Sequence, residues 1–488
     1  LNTGLAEIAV ATAATQNQLT WIVDSYTLVL ACLLLPAGAI GDRYGRRRAL
    51  MVGLAVFTVA SFAPLHFHSA IEIVAARSVA GAGAAFILPA TLSLLTGAFP
   101  ADERSKVVGA WAGIVGSAGV GGLIGTGLLL NVFQWQSIFW ALGLAGVILL
   151  LASFTVADSR EHNAPPLDWI GAVTIGAAVA LFVFGILRAP SDGWTNPRVY
   201  CCLLAGIVVA LGFCWIELRR PYPLLDVRLF ANPEFGTGAF TITIVFGATF
   251  GLFFVVTQYI QQVVGYSALA TGLALSPLAI PLITLSALSP WYVPKLGLRL
   301  VVALSLTVIA AGFLYMRTLG VDSKFKDLFW PLIVISTGFG LCTAPTTSAI
   351  MTTVPDAKQG VASAVNDTTR EVGGAIGIAL SGSVLASVYA HHIAGSIASL
   401  PAPLHDAASG SLAHLLAISN RLGPQGKPLV DAGQHAFIDG ANWAYLIRAT
   451  VAECAAVVIS PFAPGRDGKQ LRLIQGLTQR ARRRRTSI

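Results

Sequence analysis

Charged residues are scarce in this sequence. Only 11% of its 488 residues are charged, whereas 55% are hydrophobic, and the mean hydropathy is +0.73. A soluble domain carries about 25% charged residues, so this chain has too few to cover a water-facing surface of its size. The apolar residues form long runs without the alternation of a membrane β-barrel. The composition therefore excludes a soluble protein and predicts a polytopic helical membrane protein.

The patterns of a metal, nucleotide or nucleophile enzyme are also missing. The six cysteines lie in or beside apolar runs without metal-ligand spacing, so we infer no metal site and no disulfide framework. No segment fits the ATP-binding pattern G-x-x-x-x-G-K-[ST]. The adjacent His391 and His392 could bind a metal ion, but a solvated pair is the simpler interpretation. We expect neither enzymatic activity nor a cofactor, with a proton gradient as the energy source.

Fourteen apolar runs follow one another along the chain. A membrane helix needs roughly 20 mostly apolar residues, and the first run, 1–14, is too short, so we expect the printed sequence to begin inside its first helix. The other predicted helices cover 19–40, 49–67, 71–97, 106–130, 136–156, 168–188, 199–217, 235–262, 268–292, 299–318, 328–351, 361–390 and 440–463.

Two polar connectors divide these helices into six, two and six. We predict a six-helix bundle at 1–157, a linker with two extra helices at 158–233, a second six-helix bundle at 234–463 and a basic tail at 464–488. The segment 391–439, rich in Gly, Ala, Ser, Pro and His, is predicted to be a loosely structured loop outside the cell.

Lys and Arg are concentrated in the loops on one side, which predicts the orientation. Both termini are then cytoplasmic, and we expect the tail "RARRRR" to bind anionic membrane lipid rather than nucleic acid. The Ala, Gly and Arg bias indicates a bacterium, so the predicted location is a bacterial plasma membrane. We expect a monomer.

The segment "GAIGDRYGRRRAL" lies in the short loop between the second and third predicted helices. Its glycines permit a tight turn, and Asp42 can accept hydrogen bonds from a helix N-terminus or an Arg. The spacing resembles the signature loop of the major facilitator superfamily, in which this loop is a cytoplasmic latch between two rocking halves. The resemblance implies a gate formed by Gly38, Gly41, Asp42, Arg43, Gly45, Arg46 and Arg47.

Further stretches extend the resemblance along nearly the whole chain. "VAARSVAGAGAAFILPA" is similar to the family's fourth-helix motif. "WIVDSYTLVLA", "PLLDVRLFANPEF", "QYIQQVVGYSALATGL" and "GVASAVNDTTREVGGAIG" resemble stretches of its fourteen-helix drug/proton antiporters. The six-two-six arrangement agrees with that branch, which implies two six-helix bundles that rock around a midplane cavity.

Charges inside the first apolar runs are candidates for proton coupling. A charge in the bilayer core costs at least about 2.5–3.5 kcal/mol, so such a residue usually faces a cavity and is functional. The resemblance places a proton or substrate carboxylate at Asp24, for which a structural hydrogen bond is the alternative. Arg77 could hold Asp24 or Glu7 ionised, contact an anionic substrate or form a structural ion pair. Glu7 either takes over from the family's first-helix acid, where this chain has Asn2, or only packs.

The segment "NDTTREVGG" places Asp367, Arg370 and Glu371 on one helix face, where Arg370 can pair with Asp367. The resemblance implies substrate recognition at Asn366, Asp367 and Glu371. Multidrug exporters of that branch carry paired acids where this chain has Asn366, and "SPLAIPLITL" lacks their tenth-helix acid. This favours a monocation, a neutral lipophile or a lipid over a dication as the substrate.

The Phe-rich ninth predicted helix could line a pocket for a bulky apolar substrate, although lipid-facing Phe side chains are an equal alternative. The other residues assigned to substrate binding are Trp21, Tyr26, Phe254, Gln258, Tyr259 and Gln261.

The segment "GIVGSAGVGGLIGTG" resembles the fifth-helix motif of antiporters, with Gly121-Gly122 where the motif has Gly-Pro. Its G-x-x-x-G spacings permit close helix contact. The glycines assigned to this motif are Gly113, Gly121, Gly122 and Gly125.

These features together predict a proton-coupled exporter of lipophilic, possibly cationic compounds that works by alternating access. Two alternatives stay open. A transporter of the same fold could export a lipid or metabolite, or the chain could be a membrane sensor or scaffold that transports nothing.

Overall fold

The computed structural model describes residues 5–12, 14–67, 69–100, 102–157, 166–398 and 402–468, and in this part of the chain every regular element is helical. The α-helices, numbered in chain order, are α1 Leu5–Thr12, α2 Gln16–Tyr44, α3 Arg46–Phe62, α4 Ala70–Ala98, α5 Arg104–Val132, α6 Gln136–Ser153, α7 Trp169–Asp192, α8 Pro197–Glu217, α9 Pro233–Gln258, α10 Ala268–Leu275, α11 Ala279–Ala287, α12 Ser289–Met316, α13 Phe325–Thr352, α14 Gln359–Ile397, α15 Ala402–Gly410, α16 Leu412–Leu422 and α17 Lys427–Ile459.

Thirteen helical segments of the described residues are long and apolar enough to cross a membrane. This confirms the all-α polytopic fold class. The first predicted helix is represented by α1, whose eight residues are too few to span a bilayer. The predicted boundaries of the two bundles and the linker stay predictions, and we use α1–α6, α7–α8 and α9–α17 as the first half, the inserted pair and the second half.

Helix ends follow local capping chemistry. Capping boxes start α2 at Thr15 and α4 at Ser69, where the side chain of the third helical residue, Gln18 or Glu72, bonds back to the cap backbone. Asp168 caps α7 by accepting a hydrogen bond from the N–H of Gly171 at 2.9 Å. Such caps satisfy backbone groups that the helix itself leaves unpaired.

The prediction of a loosely structured loop at 391–439 is wrong. Helix α14 continues to Ile397, and α15, α16 and the first turns of α17 occupy the rest of the described segment. Leu412 and Leu415 are at most 2% exposed and belong to the core of the second half. The Tyr389 hydroxyl donates to the Ala408 carbonyl at 3.2 Å. Packing on this core stabilises helices that the Gly and Pro content argued against.

Histidine 392 lies on the same part of the molecule. Its Nδ1 is 2.9 Å from Oδ2 of Asp439 on α17, so this half-exposed ring has a carboxylate partner. In the described residues no group of three His, Cys, Asp or Glu side chains could hold a metal ion.

The helix predicted at 268–292 is found as one helical span long enough to cross a membrane, Ala268–Ala287, with a 3₁₀ turn over Ser276–Leu278 between α10 and α11. Helix α12 begins at Ser289, and the break predicted between 292 and 299 corresponds to a kink inside α12. Within α12 the chain kinks at Gly297, where φ is +78°. An L side chain rarely adopts that conformation.

Two seams join the halves. On one side, α2 packs against α14, and α7 lies against both helices. On the other side, α5 packs against α10 and α11. Residues of both halves and of the inserted pair share one buried apolar cluster near the start of α14, which includes Leu35, Leu225 and Val361. The candidate functional groups lie along these seams.

Candidate functional site

Asp42 joins the two halves at the end of the molecule that carries the arginines 43–48, which we call the basic end. Its carboxylate accepts hydrogen bonds from the backbone N–H groups of Gly360 at 2.8 Å and Val361 at 3.0 Å, and from Arg46 Nε at 2.8 Å. The first N–H groups of a helix lack partners within the helix and form the positive end of its dipole. The carboxylate of Asp42, which is only 7% exposed, therefore holds the start of α14 against α2.

Small residues allow this close approach. A Cβ on Gly38 would lie 2.5 Å from the carbonyl oxygen of Gly360, and a Cβ on Gly360 would lie 2.6 Å from Oδ1 of Asp42. Gly45 joins α2 to α3 with φ +109°, a conformation that favours glycine. Gly41 is less constrained, because the nearest atom to its added Cβ would be 3.5 Å away.

Further polar contacts join the halves at the basic end. Arg104 of α5 forms a bidentate ion pair with Asp356, in which Nη1 donates to Oδ1 at 2.6 Å and Nη2 donates to Oδ2 at 3.1 Å. Arg46 Nη2 donates to the Asp356 carbonyl at 2.6 Å. The Thr96 hydroxyl donates to Gln359 Oε1 at 3.3 Å, and the Gln359 amide is held by carbonyls of its own half. The basic end is thus closed by charged and polar contacts.

The other two predicted gate arginines contact their own half. Arg47 donates to the carbonyls of Ser153 at 3.2 Å and Phe154 at 2.7 Å, at the C-terminus of α6, where a cation is favourable. The Arg43 guanidinium lies 5.6 Å from the centre of the Tyr44 ring.

A polar cluster lies deeper between the halves. The Arg77 guanidinium stacks 4.2 Å from the Tyr26 ring centre, and its Nε donates to the Ile22 carbonyl at 3.2 Å. Tyr26 also interacts electrostatically with Glu371 of α14 across the seam. Glu371 is partly exposed. Arg77 therefore contacts Tyr26 and Ile22 rather than the predicted partner Asp24, and Glu371 acts on the Tyr26 side chain electrostatically.

Arg370 is held between aromatic rings of both halves. Its guanidinium lies 4.8 Å from the ring centre of Trp111 on α5 and 4.7 Å from that of Phe246 on α9. Its Nη2 donates to the Thr347 hydroxyl at 3.0 Å, and Arg370 is only 5% exposed. Cation–π contacts of a desolvated arginine contribute about 2 kcal/mol. The contact between Arg370 and Trp111 therefore stabilises the packing of the two halves next to Glu371 in sequence.

Asp367 does not form the predicted ion pair with Arg370. No contact within 4 Å joins their charged atoms, and the two side chains interact only electrostatically. Asp367 Oδ1 instead accepts from Asn366 Nδ2 at 3.1 Å, and Asn366 Oδ1 accepts from the Thr347 hydroxyl at 3.1 Å. The aromatic stack turns Arg370 toward the seam and away from its neighbour on the helix.

Asp24 lies on a different face of α2 from Tyr26. Helix α2 begins at Gln16, so Asp24 is about 12 Å along it. Its electrostatic partner is Arg188 of α7. The Arg188 guanidinium lies 4.9 Å from the ring centre of Trp21, which is one turn before Asp24. The inserted pair therefore supplies the cation that acts on Asp24, which the sequence did not indicate.

Some predicted groups fall outside the described part of the chain. Glu7 belongs to α1, but its side chain is not among the described groups, and Asn2 and the end of the basic tail also lie outside.

The residues predicted on the ninth helix do not form one pocket. Tyr259 is buried in the second half and donates to the Gly320 carbonyl at 2.8 Å. Gln258 Nε2 donates to the Phe254 carbonyl of its own helix at 2.8 Å, and Gln261 is exposed. Phe254 approaches α14 at Gly382, where an added Cβ would lie 3.5 Å from its ring.

The glycines of α5 divide into two groups. A Cβ on Gly109 would lie 2.6 Å from the Ser286 carbonyl oxygen, and one on Gly113 would lie 3.2 Å from Ile283 Cα, so these glycines let α5 approach α11. An added Cβ on any of the other three assigned glycines would meet nothing within 4 Å: Gly121, Gly122 and Gly125. The expected close contact at Gly121 and Gly125 is therefore absent from this conformation.

This difference gives a matched pair of substitutions. Gly109→Leu should destabilise the purified protein by about 1–3 kcal/mol, because the new side chain overpacks a helix contact. Gly121→Leu adds the same side chain where space is open, and should change stability by less than about 0.5 kcal/mol. Thermal unfolding in detergent compares them; equal melting temperatures would contradict the assigned seam.

The sequence did not predict a functional role for Trp111, Thr347 or Arg188. Their neighbours lie far away in sequence, and no short motif marks them. Arg448 of α17 is a further buried cation in the second half. It is 5% exposed, donates to the Gly251 carbonyl at 2.5 Å and to the Ser381 hydroxyl, and is not paired with the exposed Glu453.

Comparison with known proteins decides the family. The model of the Major Facilitator Superfamily matches residues 1–378. The chain belongs to the Major Facilitator Superfamily. It is 31% identical to the multidrug resistance protein Stp of Mycobacterium tuberculosis, over 79% of this chain and 72% of that protein. It is 32% identical to the cephamycin export protein CmcT of Amycolatopsis lactamdurans, over 82% and 83% of the two chains.

A solved structure agrees on the fold. The proton:xylose symporter XylE of E. coli aligns with a TM-score of 0.56 and 16% identity, over 98% of this chain and 94% of that one. The major facilitator fold predicted from the signature loop is confirmed. This transporter is therefore a multi-pass membrane protein and not an enzyme.

Proposed function

We propose that this transporter exports lipophilic, drug-like molecules, neutral or carrying one positive charge, in exchange for protons. Named relatives support export: Stp is called a multidrug resistance protein and CmcT a cephamycin export protein. We place the basic end in the cytoplasm, because Lys and Arg are concentrated there. The chain would then be a plasma-membrane exporter, seen with its cytoplasmic gate closed.

The observation that carries this proposal is the cluster between the halves. Glu371 is a partly exposed acid on α14, the helix that packs against α2, and it acts electrostatically on Tyr26 of α2. Trp111 and Phe246 extend the aromatic surface from both halves and hold Arg370 between them. Apolar walls with a few polar groups are typical of sites for drug-sized ligands. One acid beside this aromatic surface suits a monocation better than a dication.

Asp24 is the proposed proton-coupling acid. Asp24 lies in a membrane-spanning helix, where an isolated charge is costly, and Arg188 of α7 is the cation that acts on it electrostatically. Protonation from the outside would release Arg188 and weaken the link between α2 and α7. Each proton that moves inward supplies about 2.3 kcal/mol per 100 mV of membrane potential, which drives the substrate outward.

Proton exchange in everted vesicles tests this proposal. We expect substrate addition to release protons from vesicles that contain the wild-type protein, with a panel of lipophilic monocations and neutral dyes. Asp24→Asn cannot carry the proton and should lower this exchange by about tenfold or more, which corresponds to at least about 1.4 kcal/mol. Asp322→Asn changes an exposed acid of the same type and serves as the matched control.

Each result separates one alternative. If Asp24→Asn exchanges protons as well as the wild type, Asp24 is not the proton-coupling acid, and Glu371 becomes the candidate. If the wild type responds to no compound of the panel but exchanges lipid between leaflets, lipid export replaces drug export. The absence of any flux would favour a sensor or scaffold.

A further inference from the structure

The segment 221–226, which follows the inserted pair and which we call the strap, is built into the basic end. Leu224 and Leu225 are each 4% exposed and pack in the same apolar cluster as Ala39 of α2 and Val361 of α14. Pro223 and Leu224 also line a cavity of about 50 Å³ together with Asp42. The strap therefore lies directly beside the carboxylate that joins the halves.

Two buried carboxylates fix the strap to the inserted pair. Glu217, at the end of α8, is 1% exposed and accepts a hydrogen bond from the N–H of Leu225 at 3.2 Å. Its other oxygen reaches the first turn of α7, because a Cβ on Gly171 would collide with it. Asp168 caps the same turn and pairs with Arg220 at 3.6 Å. The ends of α7 and α8 and the strap thus form one unit.

A lysine next to α14, in the second half, adds a polar contact to this unit. Lys358, the residue before α14, donates from Nζ to the Pro223 carbonyl at 3.2 Å. It also attracts the Glu217 carboxylate. Only one residue separates Lys358 from Gly360, whose N–H donates to Asp42. The start of α14 is therefore held from two sides, by α2 and by the strap.

We propose that the strap is a third component of the gate, and that Lys358 leaves Pro223 each time the basic end opens. The inserted pair then takes part in the transport cycle as a brake on opening. This inference rests on the proposed alternating access, because a gate has meaning only if the halves separate.

Distance measurements between spin labels test the inference without transport. The native cysteines are replaced, and labels are placed at Arg48→Cys and Lys295→Cys, two exposed positions on opposite halves. We expect Lys358→Met to raise the ratio of open to closed molecules by about fivefold or more, as for loss of a charge-assisted hydrogen bond. Lys358→Arg keeps a donor and should restore the closed state. Lys326→Met is the control, because Lys326 is an exposed lysine at the start of α13 and not next to α14.

A second measurement fixes the strap covalently. Cysteines at Pro223 and Ala357, which line the same cavity, are joined by a short bis-methanethiosulfonate, which forms a disulfide with each thiol. We expect the joined protein to stay closed and to lose export, and reductive cleavage of the linker to restore both. A joined protein that still opens, or a Lys358→Met distance distribution equal to that of the wild type, would overturn the inference. If the wild type exports nothing while the distances shift as expected, the proposed function fails and the strap remains a brake.

Discussion

Asp42→Asn should open the basic end and lower export strongly. The amide keeps one acceptor oxygen but loses the charge and one of the acceptors that hold Gly360, Val361 and Arg46. Hydrogen bonds to a charged group contribute about 1.5–3 kcal/mol, and the carboxylate also loses its interaction with the α14 dipole. A loss of about 1–3 kcal/mol shifts the open-to-closed ratio about 5- to 150-fold. The spin labels at positions 48 and 295 measure this ratio directly.

The control for Asp42 lies at the same end. Asp102→Asn removes an exposed carboxylate that precedes α5, and we expect it to leave the distance distribution unchanged. If Asp42→Asn behaves like Asp102→Asn, the charged contact contributes nothing to closure, and the Arg104–Asp356 pair would have to hold the basic end. That pair is partly exposed, and exposed ion pairs contribute little.

Glu371→Gln should lower the export of cations far more than that of neutral compounds. The Glu371 side chain is partly exposed and acts electrostatically on Tyr26 across the seam, and its replacement removes the negative charge at nearly constant volume. Loss of a charge-assisted contact of about 1.5–3 kcal/mol corresponds to a roughly 10- to 150-fold decrease for a lipophilic monocation. For a neutral dye of similar size we expect a change of less than about threefold. Initial export rates over a range of substrate concentrations give both values.

Glu453→Gln provides the comparison for Glu371. Glu453 is exposed on α17 and belongs to no contact between the halves, so its substitution should affect neither substrate class. An equal decrease for cations and neutral dyes in Glu371→Gln would argue against charge recognition. It would then favour a role of Glu371 in proton coupling, shared with Asp24.

For Asp24, the local sequence predicted a functional residue but not its partner. Its place in an apolar run was sufficient to mark it as a functional candidate, because an isolated charge in a membrane helix is costly. Its partner was not predictable, since Arg77 and Arg188 both lie in or at the end of apolar helices. Helix α2 directs Asp24 and Tyr26 to different faces, and the packing of α7 against α2 decides that Arg188 meets Asp24.

For Arg370, even the partner on the same helix was not predictable from the local sequence. Helical spacing placed it one turn from Asp367 and predicted an ion pair. Side chains one turn apart are within reach, but Trp111 and Phe246, both distant in sequence, offer Arg370 a stack that a neighbouring carboxylate does not.

The sequence by itself determined the membrane helices, the all-α fold class and the family, because hydropathy and the spacing of the "GDRYGRRR" segment are local properties of the chain. It failed at 391–439, where helices form on a core built by residues far away. Only the tertiary structure decided which charges meet: Asp42 with the start of α14, Asp24 with Arg188, and Lys358 with the strap. The physical reason is that a contact between helices depends on which faces pack together. That choice is made by the sum of many apolar contacts across the seams and not by any single motif.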